Sequence, residues 1–224
     1  MDKHIIVAID GPAGAGKSTI ARRLASKLGF VYIDTGAMYR AVALWAMQLE
    51  VPLSDMHRLA QLALASDIQF TAGSAQVILN GEDVTEAIRT AEISAASSKV
   101  SAIGGVRSAL VEKQRALAAT ASVVMEGRDI GTIVFPAAQV KVFLDADHAE
   151  RARRRVVQSG GDLGEIAREM SDRDRRDRSR AESPLVQAPD ASYLDTTGMT
   201  PDEVEQAILK IVRERTSNGK EVTS

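Results

Sequence analysis

Residues 9–19 read IDGPAGAGKST, and Gly11 to Ser18 fit the pattern G-x-x-x-x-G-K-[ST] at every fixed position. No other stretch limits the fold as much, because this pattern belongs between a buried strand and the first turn of a helix. Glycine loses more freedom on ordering than any other residue, so three of them in one turn need a local reason. A ligand that must come close to the backbone is such a reason. The flanks comply. HIIVAID (4–10) is a continuous apolar run, as in a strand covered on both faces of a parallel sheet. STIARRLASKLG (18–29) sets Ile20, Leu24 and Leu28 on one helical stripe, with Gly29 placed as the C-terminal cap.

With strand and helix in place, the loop is expected to hold a nucleoside triphosphate. Gly11, Pro12, Ala13, Gly14, Ala15, Gly16, Lys17, Ser18 and Thr19 form the cradle. Its N–H groups converge on an anion, and the helix start adds partial positive charge. Lys17 is placed to reach the β- and γ-phosphates, and the Ser18 hydroxyl to ligate Mg²⁺.

The rest of the chain continues the alternation. FVYID (30–34) reads as a strand and GAMYRAVALWAMQL (36–49) as an apolar helix, which implies parallel strands joined by right-handed crossovers. The rhythm then breaks. DIQF (67–70), AQVIL (75–79) and EDVT (82–85) are short strands, with Asn80-Gly81 as a two-residue hairpin turn. Two helices are expected over 91–102 and 106–119, broken at Gly104-Gly105. Strands follow at SVVMEG (122–127), VKVFLDA (140–146) and YLD (193–195), and the last helix opens on a capping box, Thr200 to Glu203. The tail after Asn218-Gly219 reads as polar and frayed. The expected fold class is therefore α/β: a parallel five-stranded core sheet with flanking helices, a small antiparallel β insert, and arginine-rich helices.

Composition narrows the function. Lys and Arg number 28 against 30 Asp and Glu, a net charge of -2 that argues against a nucleic-acid binder. The absence of cysteine, of a signal-like start and of any membrane-length apolar run makes a cytoplasmic, membrane-independent protein the expectation, with a monomer as default. No N-K-x-D stands ready to read a guanine base, and the one D-x-x-G, at 195–198, comes too late in the chain for a GTPase switch. A small-molecule phosphotransferase remains. Its transition state is stabilised by positioning and positive charge, which calls for arginines in number.

Residues 151–180 hold ten. Arg173, Asp177 and Arg180 fall on one helical face with Arg176 beside them. A solvated helix would use the same charges as i,i+4 pairs, namely Asp172–Arg176, Arg173–Asp177 and Asp174–Arg178. Beside a phosphate loop, a lid that closes arginines over phosphates is favoured, with SGGDLG (159–164) as its turn. DTGAMYR (34–40) places Asp34 and Thr35 at the carboxyl end of a strand, the ligand side of such a sheet, with Arg40 about one helical turn beyond. EGRDIGT (126–132) places Glu126, Arg128 and Asp129 likewise, with Glu126 where an acidic residue holds Mg²⁺ through water. Ser98, Arg107 and Gln114 lie on the helices between.

Together IDGPAGAGKST, DTGAMYRAVAL, VILNGEDVTEAIRT, EGRDIGTIVFP, VKVFLDA, RDRRDRSR and SPL (183–185) resemble the bacterial cytidylate kinases, in order and over nearly the whole chain. The resemblance implies one kinase domain over 1–224, with an acceptor-binding insert over about 66–105 and an arginine-rich lid over about 151–180. It implies transfer of the γ-phosphoryl of ATP to CMP or dCMP with Mg²⁺, UMP being a poor acceptor. By matched position, CMP would be held by Thr35, Arg40, Ser98, Arg107, Arg128, Asp129, Arg173, Asp177 and Arg180. Of these, Arg40, Arg107 and Arg128 would take the phosphate, Arg128 and Asp129 the cytosine, and Asp177 and Arg180 the sugar. Lys17, Arg128, Asp129, Arg173 and Arg180 would be the catalytic set. Arg151, Arg155 and Arg176 would meet the donor phosphates. Thr35 stands where some members have Ser, and Glu126 where others have Asp. The rival readings are another small phosphate-loop kinase, of adenylate or shikimate type, and a nucleotide-binding module without catalysis.

Overall fold

A computed structural model describes residues 4–71 and 76–216. Along the chain run β1 (Ile6–Asp10), α1 (Lys17–Leu28), β2 (Val31–Asp34), α2 (Thr35–Gln48) and α3 (Met56–Ala65). Next come β3 (Ile68–Phe70), β4 (Val77–Leu79), β5 (Glu82–Asp83), α4 (Ala91–Val100) and α5 (Gly104–Ala118). β6 (Val123–Gly127), a π-turn (Ile130–Val134) and β7 (Val140–Asp145) follow, then α6 (His148–Ser159), α7 (Leu163–Ser179), β8 (Ser192–Asp195) and α8 (Pro201–Thr216). No helix among the described residues is long and apolar enough to cross a membrane.

The core sheet is five-stranded, in the order β2-β6-β1-β7-β8, with every pair parallel. β1 is central and its apolar run fully enclosed: Val7, Ala8 and Ile9 expose nothing. Burying Val or Ile side chains in this way contributes about 1.5–3 kcal/mol each. On one face α1 and α8 cover β1, β6 and β7 through Ile20, Leu24, Ile208 and Val212. The other face carries α5 and the π-turn through Val111, Ile130 and Val134. A separate core joins α2, α3, α4 and α5 to β3 and β4.

The antiparallel sheet β3-β4-β5 turns at Asn80-Gly81, both at positive φ (50° and 88°), as the dipeptide requires. Ala75, placed in the middle strand by sequence, and the tail after Thr216 lie outside the described residues. The α8 capping box forms: Thr200 N donates to Glu203 Oε2 at 2.8 Å and Glu203 N to Thr200 Oγ1 at 3.3 Å.

Three features depart from the sequence reading. Helix α3 was not anticipated; Asp55 caps it and Leu59, Leu62 and Ala63 bury its inner face. Gly104 and Gly105 do not break a helix but begin α5. A Cβ on Gly105 would stand 2.9 Å from Ala60 Cβ of α3, and one on Gly104 2.6 Å from Glu182 Oε2, so the glycines permit close packing there. Finally, Asp174 does not pair with Arg178 along its helix but crosses to Arg151 of α6, with 2.7 Å between Arg151 Nη1 and Asp174 Oδ2. Gly160 and Gly161, at φ 70° and 101°, make the turn between α6 and α7, while Gly164 already belongs to α7.

Candidate active site

The phosphate-type loop leaves β1 in a conformation only glycine tolerates. Gly11 has φ 149°, and a Cβ there would stand 1.9 Å from the Leu144 carbonyl oxygen of β7. Gly14 (φ 77°) is also pressed, less severely, by Arg151 of α6, whose backbone oxygen would lie 2.9 Å from a Cβ. Gly16 (φ 88°) is the N-cap of α1 and contributes no side-chain acceptor, so the first N–H groups of the helix remain turned to the loop interior. Ser18 and Thr19 are exposed at that mouth. Lys17 is only 5% exposed and donates from Nζ to Pro12 O at 2.7 Å, folded back over its own loop. Burial first, then the charge of Arg128, lowers its ammonium to about 7.

Beside this loop, at the ends of β6 and β2, sit two carboxylates. Glu126 accepts from the Tyr32 hydroxyl at 2.6 Å and from the Ser18 hydroxyl. Burial, and then the negative charge of Asp34, raises its carboxyl. Asp34 is the N-cap of α2, accepting from Ala37 N at 2.9 Å, and pairs with Arg40 at 2.9 Å. Both Asp34 oxygens are thereby taken, which leaves the buried Glu126 carboxylate and the Ser18 hydroxyl as the pair that suits a divalent cation. No group of three or more His, Cys, Asp or Glu is gathered for a metal among the described residues. Such a set matches Mg²⁺, which draws most of its ligands from water and phosphate.

Next to the loop lies a cluster of arginines around two more carboxylates. Asp177 of α7 accepts from Arg128 Nε at 3.0 Å and from Arg180 Nη2 at 2.6 Å, with Arg173 Nε 4.0 Å away. Burial alone would raise Asp177, but Arg128, Arg180 and Arg173 outweigh it and hold the carboxyl below its ordinary range. Asp129 pairs with Arg107 of α5, and both are buried. Arg107 also donates to Ser101 O at 3.0 Å and lies over the Tyr39 ring, 5.4 Å from its centroid. Arg173 is lowered to about 10 by burial and by the neighbouring charge of Arg128. Four buried guanidinium Nε atoms, on Arg40, Arg107, Arg173 and Arg180, have no acceptor within the described structure. Each such donor costs about 1–3 kcal/mol when left dry and unpaired. The arrangement is therefore poised for an anion.

Most of the residues singled out by sequence thus converge. Thr35 bonds Glu126 O at 2.7 Å from the start of α2, so its hydroxyl ties β2 to β6. Arg155 is half-buried and its charge reaches Arg173. Ser98 is half-buried on α4, outside the ion-pair network. Two arginines do not stand as expected. Arg151 is buried and engaged by protein, donating to Ala13 O at 3.1 Å, Ala146 O at 2.9 Å and Asp174. Arg176 is exposed and turned outward, its Nε on Asp172 O at 3.2 Å, because the buried face of α7 is that of Met170, Asp174 and Asp177, and position 176 lies beyond its edge. Sequence reasoning missed Arg154, whose Nη1 lies 3.8 Å from where a Gly16 Cβ would stand. It is held by Thr196 O at 2.7 Å and Thr196 Oγ1 at 3.0 Å. No signal within the run ERARRR separates Arg154 from its neighbours. It also missed Asp10, for which the signal was a lone acid closing an apolar strand.

Comparison with known proteins supplies an independent line. The cytidylate kinase family model matches residues 7–214. A relative named cytidylate kinase, from Solibacter usitatus (strain Ellin6076), is 59% identical, over 98% of this chain and 97% of its own. Another of the same name, from Desulforamulus reducens, is 50% identical over 93% and 97%. A crystal structure from Thermus thermophilus shares the fold, with a TM-score of 0.51 at 20% identity over 96% of this chain and 99% of its own.

Proposed function

The chain belongs to the cytidylate kinase family of phosphotransferases, and on that premise we propose that it transfers the γ-phosphoryl group of ATP to CMP or dCMP. The products are ADP and CDP or dCDP. The observation that carries the reading is the set of four buried, acceptorless Nε–H groups on Arg40, Arg107, Arg173 and Arg180. A phosphate monoester offers the oxygens they lack, and guanidinium forks match it in shape.

In this reading residues 11–19 hold the ATP phosphates, and Lys17 leaves the Pro12 carbonyl to meet the β- and γ-phosphates. Arg40, Arg107 and Arg128 take the acceptor phosphate. Asp129, beside Arg128, accepts from the exocyclic amine of cytosine, a hydrogen that uracil lacks. Asp177 and Arg180 face the sugar, and Thr35, Ser98 and Arg173 complete the acceptor seat. The segment over about 66–105 is the acceptor-binding insert and that over about 151–180 the lid. Arg155 reaches the donor phosphates from α6. Arg151 supports the loop from behind, and Arg176 joins only if α7 turns.

An acceptor phosphate oxygen attacks the γ-phosphorus in line, and the bond to the β–γ bridging oxygen breaks as ADP departs. No general base is needed, because the attacking phosphate is already an anion at neutral pH. Lys17, Arg173 and Arg128 offset charge on the transferred group while it is bound to neither partner. Ser18, and Glu126 through water, would hold Mg²⁺, which when bound spreads charge over the β- and γ-oxygens.

A coupled assay with ATP and CMP, dCMP, UMP, AMP or shikimate tests this. Fast ADP release is expected with CMP and dCMP, and little with the others. Preference for AMP or shikimate would make it a different small kinase. ATP binding without ADP release on addition of CMP would make it a binding module.

A further inference from the structure

We propose that Asp10 is a positioning residue that fixes the acceptor-reading pair Arg128–Asp129 relative to the ATP loop, an inference that rests on CMP being the acceptor. Asp10 is the last residue of β1, immediately before Gly11, and is 5% exposed. Its carboxylate turns across the sheet. Oδ1 accepts from Ile130 N at 2.8 Å and Oδ2 from Gly131 N at 2.7 Å.

Those N–H groups are the two that follow Asp129. The parallel register of β1 and β6 ends at the Asp10–Gly127 pair. Arg128 and Asp129 are therefore a two-residue bridge held at both ends by one residue, through sheet pairing before it and the carboxylate after it. From that bridge Arg128 reaches Asp177, and Asp129 reaches Arg107. Inside the π-turn, Val134 N donates to Asp129 O at 3.2 Å and Phe135 N to Ile130 O at 2.7 Å. The turn thus closes its own carbonyls, while its first two amides point at Asp10.

Chemistry explains why a carboxylate stands there. Two adjacent N–H groups need two acceptors in fixed fork geometry, which Asp provides and Asn does not. Burial raises the Asp10 carboxyl to about 6, with the two backbone donors and Lys17 opposing that shift and Asp129 adding to it. The contact is also tight. A Cβ on Gly131 would stand 3.3 Å from Asp10 Oδ2 and 3.2 Å from Lys141 Cδ, so glycine lets the turn lie this close to the carboxylate.

The test is Asp10→Asn in the full chain, measured against CMP, UMP and ATP. The amide NH₂ would oppose one of the two N–H donors and rotate the bridge. The expected result is a folded protein with KM for CMP raised about tenfold and CMP-over-UMP preference reduced about tenfold, the loss of one hydrogen bond to a charged group. KM for ATP should change less than about threefold, because residues 11–19 keep their own geometry. Unchanged CMP kinetics in a folded variant, or an equal rise of both KM values at unchanged CMP-over-UMP preference, would overturn the proposal. Should Asp10→Asn not fold, Gly131→Ala presses on the same contact from the other side and is judged by the same criteria. Wild-type protein that does not turn over CMP would instead remove the acceptor assignment, before any variant is read.

Discussion

Lys17 rests on the Pro12 carbonyl, buried and with its ammonium lowered by burial, so it gains most when a phosphate takes that place. Replacing it with methionine keeps the stem packed and removes the charge. Lys17→Met is expected to lower kcat by at least about 10²–10³-fold, the scale of one preorganised donor to the transition state. Circular dichroism should be unchanged, and turnover near wild type would contradict the role. Asp10 responds to pH as well. Its carboxyl binds a proton more tightly in the folded chain, at about 6, than at the ordinary 3.8. The stability it contributes is thus fully present below about pH 4 and lost as pH rises through 6, a span of about 3 kcal/mol. Asn does not titrate. Melting-temperature series for wild type and Asp10→Asn between pH 4 and 7 should show the wild type losing ground as pH rises; parallel curves would contradict the buried, titrating carboxyl. Lys17, Arg128, Asp129 and Asp177 were readable as candidates because each sits in a motif whose spacing implies chemistry. Their pairings were not. Nothing local tells that Arg107 meets Asp129 while Arg128 meets Asp177, since both contacts are made between distant elements.

Among the elements, α6 and α7 form a helical pair laid against the Gly11–Ser18 loop, and the Arg151–Asp174 contact is its internal rivet. Arg151 joins α6, α7, the end of β7 and Ala13 of the loop in one side chain. Asp174 keeps its other oxygen without a partner. Removing the guanidinium strands a buried carboxylate, and Arg151→Ala is expected to cost about 3–5 kcal/mol in denaturant unfolding. Asp174→Ala in the same chain should restore part of that loss, with a coupling of about 1–3 kcal/mol. Strict additivity of the two changes would show that the contact does not bind the pair. Sequence patterning found α6 and α7 from their charge density but assigned Asp174 an in-helix partner, because i,i+4 spacing is visible in a sequence and a crossing helix is not. Helix α3 went unseen for a different reason: its buried set Leu59, Leu62 and Ala63 is small and follows a turn that carries no glycine. The Asn80-Gly81 hairpin was readable because only such residues adopt positive φ cheaply.

Across the whole molecule, the sheet order β2-β6-β1-β7-β8 places the candidate site at one end of the sheet. The chain passes from β1 over β6 to β2 and then returns, which opens a crevice at the carboxyl ends of adjacent strands. Asp34 and Asp10 close β2 and β1 there, Glu126 stands one residue before the end of β6 between them, and the Gly11–Ser18 loop, the π-turn and α2 start from the same end. The alternation of strands and helices gave the parallel sheet in advance, but strand order depends on long-range pairing and had to come from structure. A ligand seated on such a cluster should stabilise the whole fold. CMP at about 100 times its Kd adds about 2.7 kcal/mol, which for a chain of this size is a melting-temperature rise of about 5–10 °C. Shikimate at the same concentration should produce none, and an equal rise with both would point to non-specific anion binding. The most direct measurement is a crystal structure with CMP and a non-hydrolysable ATP analogue. The CMP phosphate is expected among Arg40, Arg107 and Arg128, its base against Asp129, and its phosphate oxygen facing the γ-phosphate held by Lys17. CMP bound away from those arginines, or out of reach of Lys17, would contradict it.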